Sequence, residues 1–369
     1  MKLLKKLIEI KSYSGEEKKI QEYILGWFEK VGLKSFWQGE NVVVKVSGED
    51  SSKALIFNAH VDTVNAGDLV LWKTNPFKAV VKQGKIYGSG ASDEKAGVAS
   101  LMLLGEELVK QKPAVDVWLT FVVKEEVDGS GTKSFLDWFV SEGYINEYID
   151  ISGVLVEPTG LKEIELGHKG NVFVKITTKG KSGHGSKPVS KSDHAVWKMV
   201  SVMKKLEGLA VEWQEDFKDP VLGEPSMAIP TFIKSGSEKS PNKIGGLCKI
   251  TVDIRTTPKC HHQVIEKIKQ ELKGLAEVEL MAEPGYWEVT DKKEKIVGVA
   301  TKIVPRAKLT VADWSNDMCF FTLLNIPAVV VGPGEKECAH QANEYCYLSK
   351  IPQAVKIYGN LIQKWGRMK

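Results

Sequence analysis

The chain has 369 residues, 43% hydrophobic and 27% charged, which gives ample apolar surface for a core and too few charges for a disordered polypeptide. The 51 Lys and Arg against 47 Asp and Glu leave a formal charge of +4, no footprint for a nucleic-acid-binding face, and Lys204-Lys205 and Lys292-Lys293 read as solvated spots. The length suits about two domains, one of which can be inserted into the other, and five scattered cysteines without a C-x-x-C exclude a disulfide framework or a cysteine zinc knuckle.

Residues 1–8 interrupt their apolar positions with lysines, so they read as an amphipathic helix and not as a leader. No later run reaches the ~18 apolar residues of a membrane span, and the expected compartment is the reducing cytoplasm, with no membrane partner. Ser14-Gly15-Glu16-Glu17 has the pattern of a capping box, with Ile20, Tyr23, Ile24, Trp27 and Phe28 as the apolar stripe of the helix it opens and Gly32 as its closing residue. Strands are expected over residues 41–46, 54–60 and 116–123, the second nearly all apolar, as in a sheet covered on both faces. Helices are expected between them, over residues 94–110 and 132–142. From Asn171 the texture changes to alternation, with Val172, Val174 and Ile176 on one side. A helix over 193–209, strands near 227–234 and 247–256, a helix after His261 and a strand near Val278 complete βαββαβ, the order of a small ferredoxin-like domain. Helix and strand patterns resume after Glu283 and end in a helix over 351–365.

Asn58-Ala59-His60-Val61-Asp62 ends an apolar strand on a histidine, with a carboxylate two residues on and on the same face. A ligating imidazole commonly has its second nitrogen held by a carboxylate, although a lone His-x-Asp is more often a structural pair. The turn Gly88-Ser89-Gly90-Ala91-Ser92-Asp93 is no dinucleotide fingerprint, because Asp93 stands where the third glycine would be and would repel a pyrophosphate. Asp93 reads either as a helix N-cap or as a carboxylate bridging two cations. Glu125 and Glu126 close another apolar strand. Adjacent acids point to opposite faces of a strand, so they can share one site only where the chain turns, and Asp128-Gly129 supplies a turn. Glu157-Pro158 ends a further strand, and Val329-Val330-Val331-Gly332-Pro333-Gly334 leads toward His340. Each closes a strand or turn on the same sheet edge, where α/β proteins gather their sites. Two cations sharing one carboxylate, with one His and one further carboxylate each, need five protein ligands, and the set has two histidines and three carboxylates. No G-x-S-x-G elbow and no H-E-x-x-H occurs, and Gly180-Lys181-Ser182 lacks the leading glycine of a P-loop.

With these motifs in this order, nearly the whole chain resembles the M20 metallopeptidase family, close to its acetylornithine deacetylases, succinyl-diaminopimelate desuccinylases and carboxypeptidases. The resemblance implies an α/β fold: a mixed-sheet zinc-peptidase catalytic domain over residues 1–167 and 283–369, with an inserted ferredoxin-like lid and dimerisation domain over 168–282. It implies two divalent metal ions, zinc with cobalt or manganese as alternatives. His60 and Glu157 would bind one, Glu126 and His340 the other, and Asp93 both. Asp62 would orient His60, and Glu125 would be the general base for the attacking water. His184, in the loop Gly180-Lys181-Ser182-Gly183-His184-Gly185-Ser186-Lys187-Pro188, matches a histidine that reaches the site of a partner subunit in a homodimer and stabilises the oxyanion there. Asn242 and Arg255 match substrate contacts. Arg255 suits a substrate carboxylate, its alternative being a strand arginine paired with Asp253. His168, His194, His261 and His262 match no role and read as structural or surface residues.

Asp313-Trp314-Ser315-Asn316-Asp317 departs from the Gly-Thr-Ser-Asp type of loop in many relatives, which leaves specificity open. Glu94 stands where relatives often have Met or Asn, and at a helix start it should tolerate its charge. Glu157, where other members have Asp, favours the deacylase and carboxypeptidase side. The expected activity is hydrolysis of an N-acyl amino acid of the acetylornithine or succinyl-diaminopimelate type. The alternatives are a carboxypeptidase or aminoacylase acting on peptide or acyl substrates at the same site, and a non-catalytic binding protein of the same fold.

Overall fold

The strand Asp50–His60 is buried over its last seven residues and Val115–Val122 over all eight, as required of strands covered on both faces. In the computed structural model, which describes residues 1–187, 189–283 and 285–368, these strands pair in parallel from Ala54↔Asp116 to His60↔Val122. The order through the sheet is Ser35–Gln38, Asn41–Val46, Val115–Val122, Asp50–His60, Asp150–Leu155, Ala328–Val330 and Glu163–His168. Val115–Val122, Asp50–His60, Asp150–Leu155 and Ala328–Val330 run parallel, whereas the flanking pairs are antiparallel, so the sheet is mixed.

Period-two geometry divides the strand residues between two apolar layers. Leu55, Phe57 and Ala59 join the core built with the helices Lys2–Glu9, Lys18–Val31, Lys95–Lys110, Lys295–Ile303 and Lys350–Arg367. Ala54, Ile56 and Trp118 join Phe135 and Phe139 of the helix Ser130–Ser141 and Phe321 of Met318–Thr322. Gly32 closes Lys18–Val31 in the left-handed region at φ +81°, as expected.

The capping box does not form. Glu17 occupies the cap position without a side-chain cap bond. Instead Ser14 Oγ donates to Asp62 Oδ2 at 2.7 Å, and a Glu17 carboxylate oxygen accepts the Lys124 N–H at 3.2 Å. The tertiary partners win because Asp62 is a buried carboxylate that needs donors, whereas the helix end can reach water.

Two compact units result, Met1–Gly167 with Thr290–Thr310 and Asn316–Lys369, and His168–Val289 with Val311–Ser315. In the smaller, four antiparallel strands run in the order Ser226–Ser235, Leu247–Thr256, Gly170–Lys179 and Glu277–Leu280. With the helices Ala195–Asp216 and Val264–Glu271 they form the expected βαββαβ unit. Val172, Val174 and Ile176 pack with Met199, Val202 and Leu206, and the first helix runs on past 209 because Leu209 and Trp213 extend its buried stripe. His194 caps that helix by accepting the Val196 N–H, and the buried His261 bonds Thr256 Oγ1 at 2.7 Å, so both are structural. Among the described residues no helix is long and apolar enough to cross a membrane.

Gly332 lies against the end of the Asp150–Leu155 strand segment, where a Cβ would sit 1.8 Å from the Val156 carbonyl oxygen and 2.2 Å from that of Glu157. Gly332→Ala is therefore expected to destabilise the chain by about 1–3 kcal/mol, as for other overpacked positions. The measurement is the urea midpoint at constant m, and an unchanged midpoint would show that the two segments separate freely.

Candidate metal centre

Four parallel strands deliver their C-terminal ends to one edge, and the candidate residues follow those ends. His60 is the last residue of its strand, Glu157 lies two residues beyond Leu155, and Glu125 and Glu126 follow Val122 after a sharp turn. The turn begins earlier than the expected Asp128-Gly129: Lys124 adopts φ +61°, and its carbonyl accepts the N–H groups of Asp128 and Gly129. Gly129, at φ +64°, then starts the helix Ser130–Ser141, and a Cβ there would lie 2.5 Å from Asp317 Oδ1. Asp93 ends the glycine-rich turn directly ahead of the helix Lys95–Lys110, where Glu94 holds the cap position without a side-chain cap bond. The N-cap reading of Asp93 is thus not what the fold uses.

The five expected ligands converge in two sets that share Asp93: His60, Asp93 and Glu157 in one, Asp93, Glu126 and His340 in the other, with all donor atoms of each set within 4.8 Å of one another. His60 Nε2 lies 3.1 Å from Asp93 Oδ1 and 3.6 Å from Glu157 Oε1. His340 Nε2 lies 3.2 Å from Asp93 Oδ2 and 3.0 Å from the Glu126 carboxylate. Each oxygen of Asp93 therefore faces a different imidazole, the geometry a bridging carboxylate requires.

Asp62 stands behind His60, with Oδ1 3.4 Å from His60 Nδ1. The fully buried Asp62 also accepts the Glu125 and Glu126 N–H groups, each at 3.2 Å. Burial works against its charge, but the His60 and Ser14 hydrogen bonds outweigh that and hold the carboxyl below the usual range. Burial likewise opposes ionisation of Asp93, and the hydrogen bonds from His340 and His60 prevail. Burial pushes Glu157 well up, reinforced by the charges of Glu94 and Asp93. The hydrogen bonds to Asp93 and Glu126 drive His340 up to about 11.

This donor set fits a pair of divalent cations. Imidazole and carboxylate suit zinc and its neighbours, and among the described residues no lysine or arginine pairs with Asp93, Glu126 or Glu157. A cation at either set would take the imidazole lone pair that faces the carboxylates, so binding would be coupled to proton release.

Several contributors were not legible in sequence. Glu344 is buried and its carboxylate accepts the N–H groups of Gly90, Ser92 and Asp93. Asp317 accepts the Thr132 hydroxyl at 2.5 Å, Thr132 accepts Asn58 Nδ2 at 2.9 Å, and burial pushes Asp317 up to about 7. Glu94 does not sit at an open helix start: it is 1% exposed, accepts the His60 N–H, and is pushed well up by burial. The signals for these roles are contacts across 34 to 254 positions of sequence, which no local pattern carries.

In the smaller unit, His184 and Asn242 come together. His184 pairs with Lys243 between two-residue strands, and the Gly185 N–H donates to the Asn242 carbonyl at 2.7 Å. His184 is exposed, with Nδ1 2.7 Å from Ser186 Oγ, and Pro188 of the same loop lies outside the described residues. Arg255 is elsewhere. Leu247, near Asn242, pairs with Lys179, near His184, whereas Arg255 pairs with Asn171 at the other end of the same two strands. Eight residues of strand separate the ends by about 26 Å at ~3.3 Å per residue. Arg255 donates to Asp253 at 2.9 Å, the pairing the sequence left open, and lies over the Phe173 ring.

A parallel-edged α/β sheet with this donor set defines a metal-dependent hydrolase. The family model for peptidase family M20/M25/M40 matches residues 56–364, and the chain belongs to that family. The chain is 30% identical to an acetylornithine deacetylase of Buchnera aphidicola, over 86% of this chain and 82% of the relative. It is 29% identical to an uncharacterized metallohydrolase of Methanocaldococcus jannaschii, over 97% and 91%. It is 26% identical to a succinyl-diaminopimelate desuccinylase of Wolbachia pipientis, over 99% and 93%. The fold matches human carnosine dipeptidase 1 with a TM-score of 0.83 at 13% identity, covering 100% of this chain and 96% of that one. It matches an M20 family metallo-carboxypeptidase from Sulfolobus solfataricus with a TM-score of 0.78 at 18% identity, covering 99% and 98%.

Saturating zinc or cobalt is expected to raise the thermal unfolding midpoint, with about 2.7 kcal/mol gained at a free concentration 100 times Kd. Chelation should reverse the gain and Asp93→Ala should abolish most of it. An Asp93→Ala protein stabilised as fully as wild type would refute the shared-ligand geometry.

Proposed function

We propose that this chain is a dinuclear metal-dependent amidohydrolase that cleaves the amide bond of an N-acyl amino acid, of the acetylornithine deacetylase or succinyl-diaminopimelate desuccinylase type. The observation that carries the reading is the pair of ligand sets joined through Asp93, with Glu125 next to Glu126 in the same turn but in neither set. Two zinc ions held by His60, Asp93, Glu157, Glu126 and His340 would polarise the scissile carbonyl and make a water nucleophilic near neutral pH. Glu125 takes the proton of the attacking water and returns it to the leaving amine. Asp62 holds His60 in register and, through the Glu125 and Glu126 N–H groups, fixes the turn that presents both acids.

His184 donates to the developing oxyanion, Asn242 contacts the substrate beside it, and Arg255 grips the substrate carboxylate after releasing Asp253. A small substrate cannot span the length of strand between Arg255 and the His184–Asn242 pair. This supports a homodimer in which each site takes Arg255 from one chain and His184 with Asn242 from the other. The strand Ser226–Ser235 supports it too, since it lies at the sheet edge and exposes Phe232 and Ile233. The five cysteines are free and buried, in keeping with a reducing cytoplasm.

Elemental analysis should find about two metals per chain, with release of free amine from N-acetylornithine or N-succinyl-diaminopimelate, the cleaved member of the panel naming the acyl group. Glu125→Ala should lower turnover by about 10²–10⁴-fold with both metals retained, and near-wild-type activity would remove Glu125 from the base role. Mixing His184→Ala with Glu125→Ala chains should restore about a quarter of wild-type activity, because half the dimers are hybrids with one whole site each. No recovery despite proven subunit exchange would rule out action across the dimer.

A further inference from the structure

The two ligand sets are supported differently. His60 ends one strand and Glu157 follows the neighbouring parallel one, and their register, Asn58↔Leu155, fixes the two backbones. Glu126 and His340 lie outside regular structure, His340 at φ +59°. The shared residue Asp93 lies in a turn as well.

We propose that Glu344 is a positioning residue that fixes Asp93 and ties it to the His340 turn, so that the Asp93–Glu126–His340 set depends on Glu344 far more than the His60–Asp93–Glu157 set does. This rests on the dinuclear reading given above. Glu344 Oε1 accepts the Ser92 N–H at 2.7 Å and the Asp93 N–H at 2.8 Å, and Oε2 accepts the Gly90 N–H at 2.7 Å. The Glu344 carbonyl accepts the Gly88 N–H at 3.0 Å, so one residue holds both ends of the Asp93 turn. Glu344 is 4% exposed, so water cannot take over these donors without opening the turn. Its own N–H donates to the Gln341 carbonyl, next to His340, and this joins the two turns into one body. A second tie, from Ser92 Oγ to the Glu335 carbonyl at 3.0 Å, joins the same two segments but leaves the Gly90 and Asp93 N–H groups unheld. Without Glu344, Asp93 can still meet His60, which the sheet holds, but its second oxygen loses its alignment with His340.

The test is calorimetric titration of metal-free wild type, Glu344→Ala and Glu344→Gln with zinc, with the cobalt absorption spectrum as a second readout of site geometry. Glu344→Ala is expected to weaken one of the two stepwise affinities about 10–100-fold, the range for outer partners of metal ligands, and to leave the other within about threefold. Glu344→Gln keeps Oε1 for Ser92 and Asp93 but turns a donor toward Gly90, so its weakened step should fall between wild type and Glu344→Ala. In a Glu126→Ala background, Glu344→Ala should change the remaining affinity by less than about threefold. Unchanged affinities, or both falling by one common factor, would overturn the proposal, as would a large loss in the Glu126→Ala background. If Glu344→Ala does not fold, Glu344→Gln is judged by the same split. Wild type that takes up only one zinc would overturn the dinuclear reading instead, so the two failures are separable.

Discussion

Asp93, with one oxygen toward His60 and the other toward His340, is the contact on which the rest of the centre depends. It brings three carboxylates and two imidazoles into a space where burial alone would neutralise the acids. Around them other buried acids gather donors. Asp62 collects the Ser14 hydroxyl and two backbone N–H groups, and Glu344 collects three. Only at Asp62 and Asp93 do the hydrogen bonds overcome burial and hold the carboxyl below its usual range, whereas burial pushes Glu126, Glu157 and Glu344 up.

The sheet supplies the coarse placement and the turns supply the fine one. Parallel strands bring His60, the Glu125–Glu126 turn, Glu157 and the approach to His340 to one edge, as α/β topology dictates. A strand end fixes only a backbone direction. Opposing acids such as Glu125 and Glu126 become usable together because Lys124 reverses the chain and Asp62 fixes the two N–H groups that follow. Beneath them Asn58, Thr132 and Asp317 form a buried chain that anchors the first turn of the helix after Gly129 to the central strand.

The smaller unit places Arg255 at one end of its four-stranded sheet and the separate His184–Asn242 pairing next in sequence to the other end. That separation, with the exposed edge strand Ser226–Ser235, is what supports the homodimer proposed above. Arg255 rests on Asp253 meanwhile, which keeps a partly buried guanidinium paired when no substrate carboxylate is present.

The sequence by itself determined the elements and pointed to the candidate ligands. Leu55, Phe57 and Ala59 against Ala54 and Ile56 dictate a strand buried on two faces, Gly32 closes its helix, and the alternation after Asn171 dictates a second, smaller sheet. Those signals are local, because strand period, helix period and left-handed glycine are properties of a few consecutive residues. The five candidate ligands were legible because each closes a strand or turn with a donor side chain. The supporting roles of Ser14, Glu17, Glu94, Asp317 and Glu344 were decided only by tertiary structure. Ser14 and Glu17 spell a capping box, yet Asp62 and the Lys124 N–H claim them. Glu344 reads as one more acid in a polar turn until Gly90, Ser92 and Asp93 arrive from some 250 residues away. A hydrogen-bond donor or acceptor is satisfied by whichever partner the packed chain brings nearest, and that choice belongs to the fold as a whole and not to any stretch of sequence.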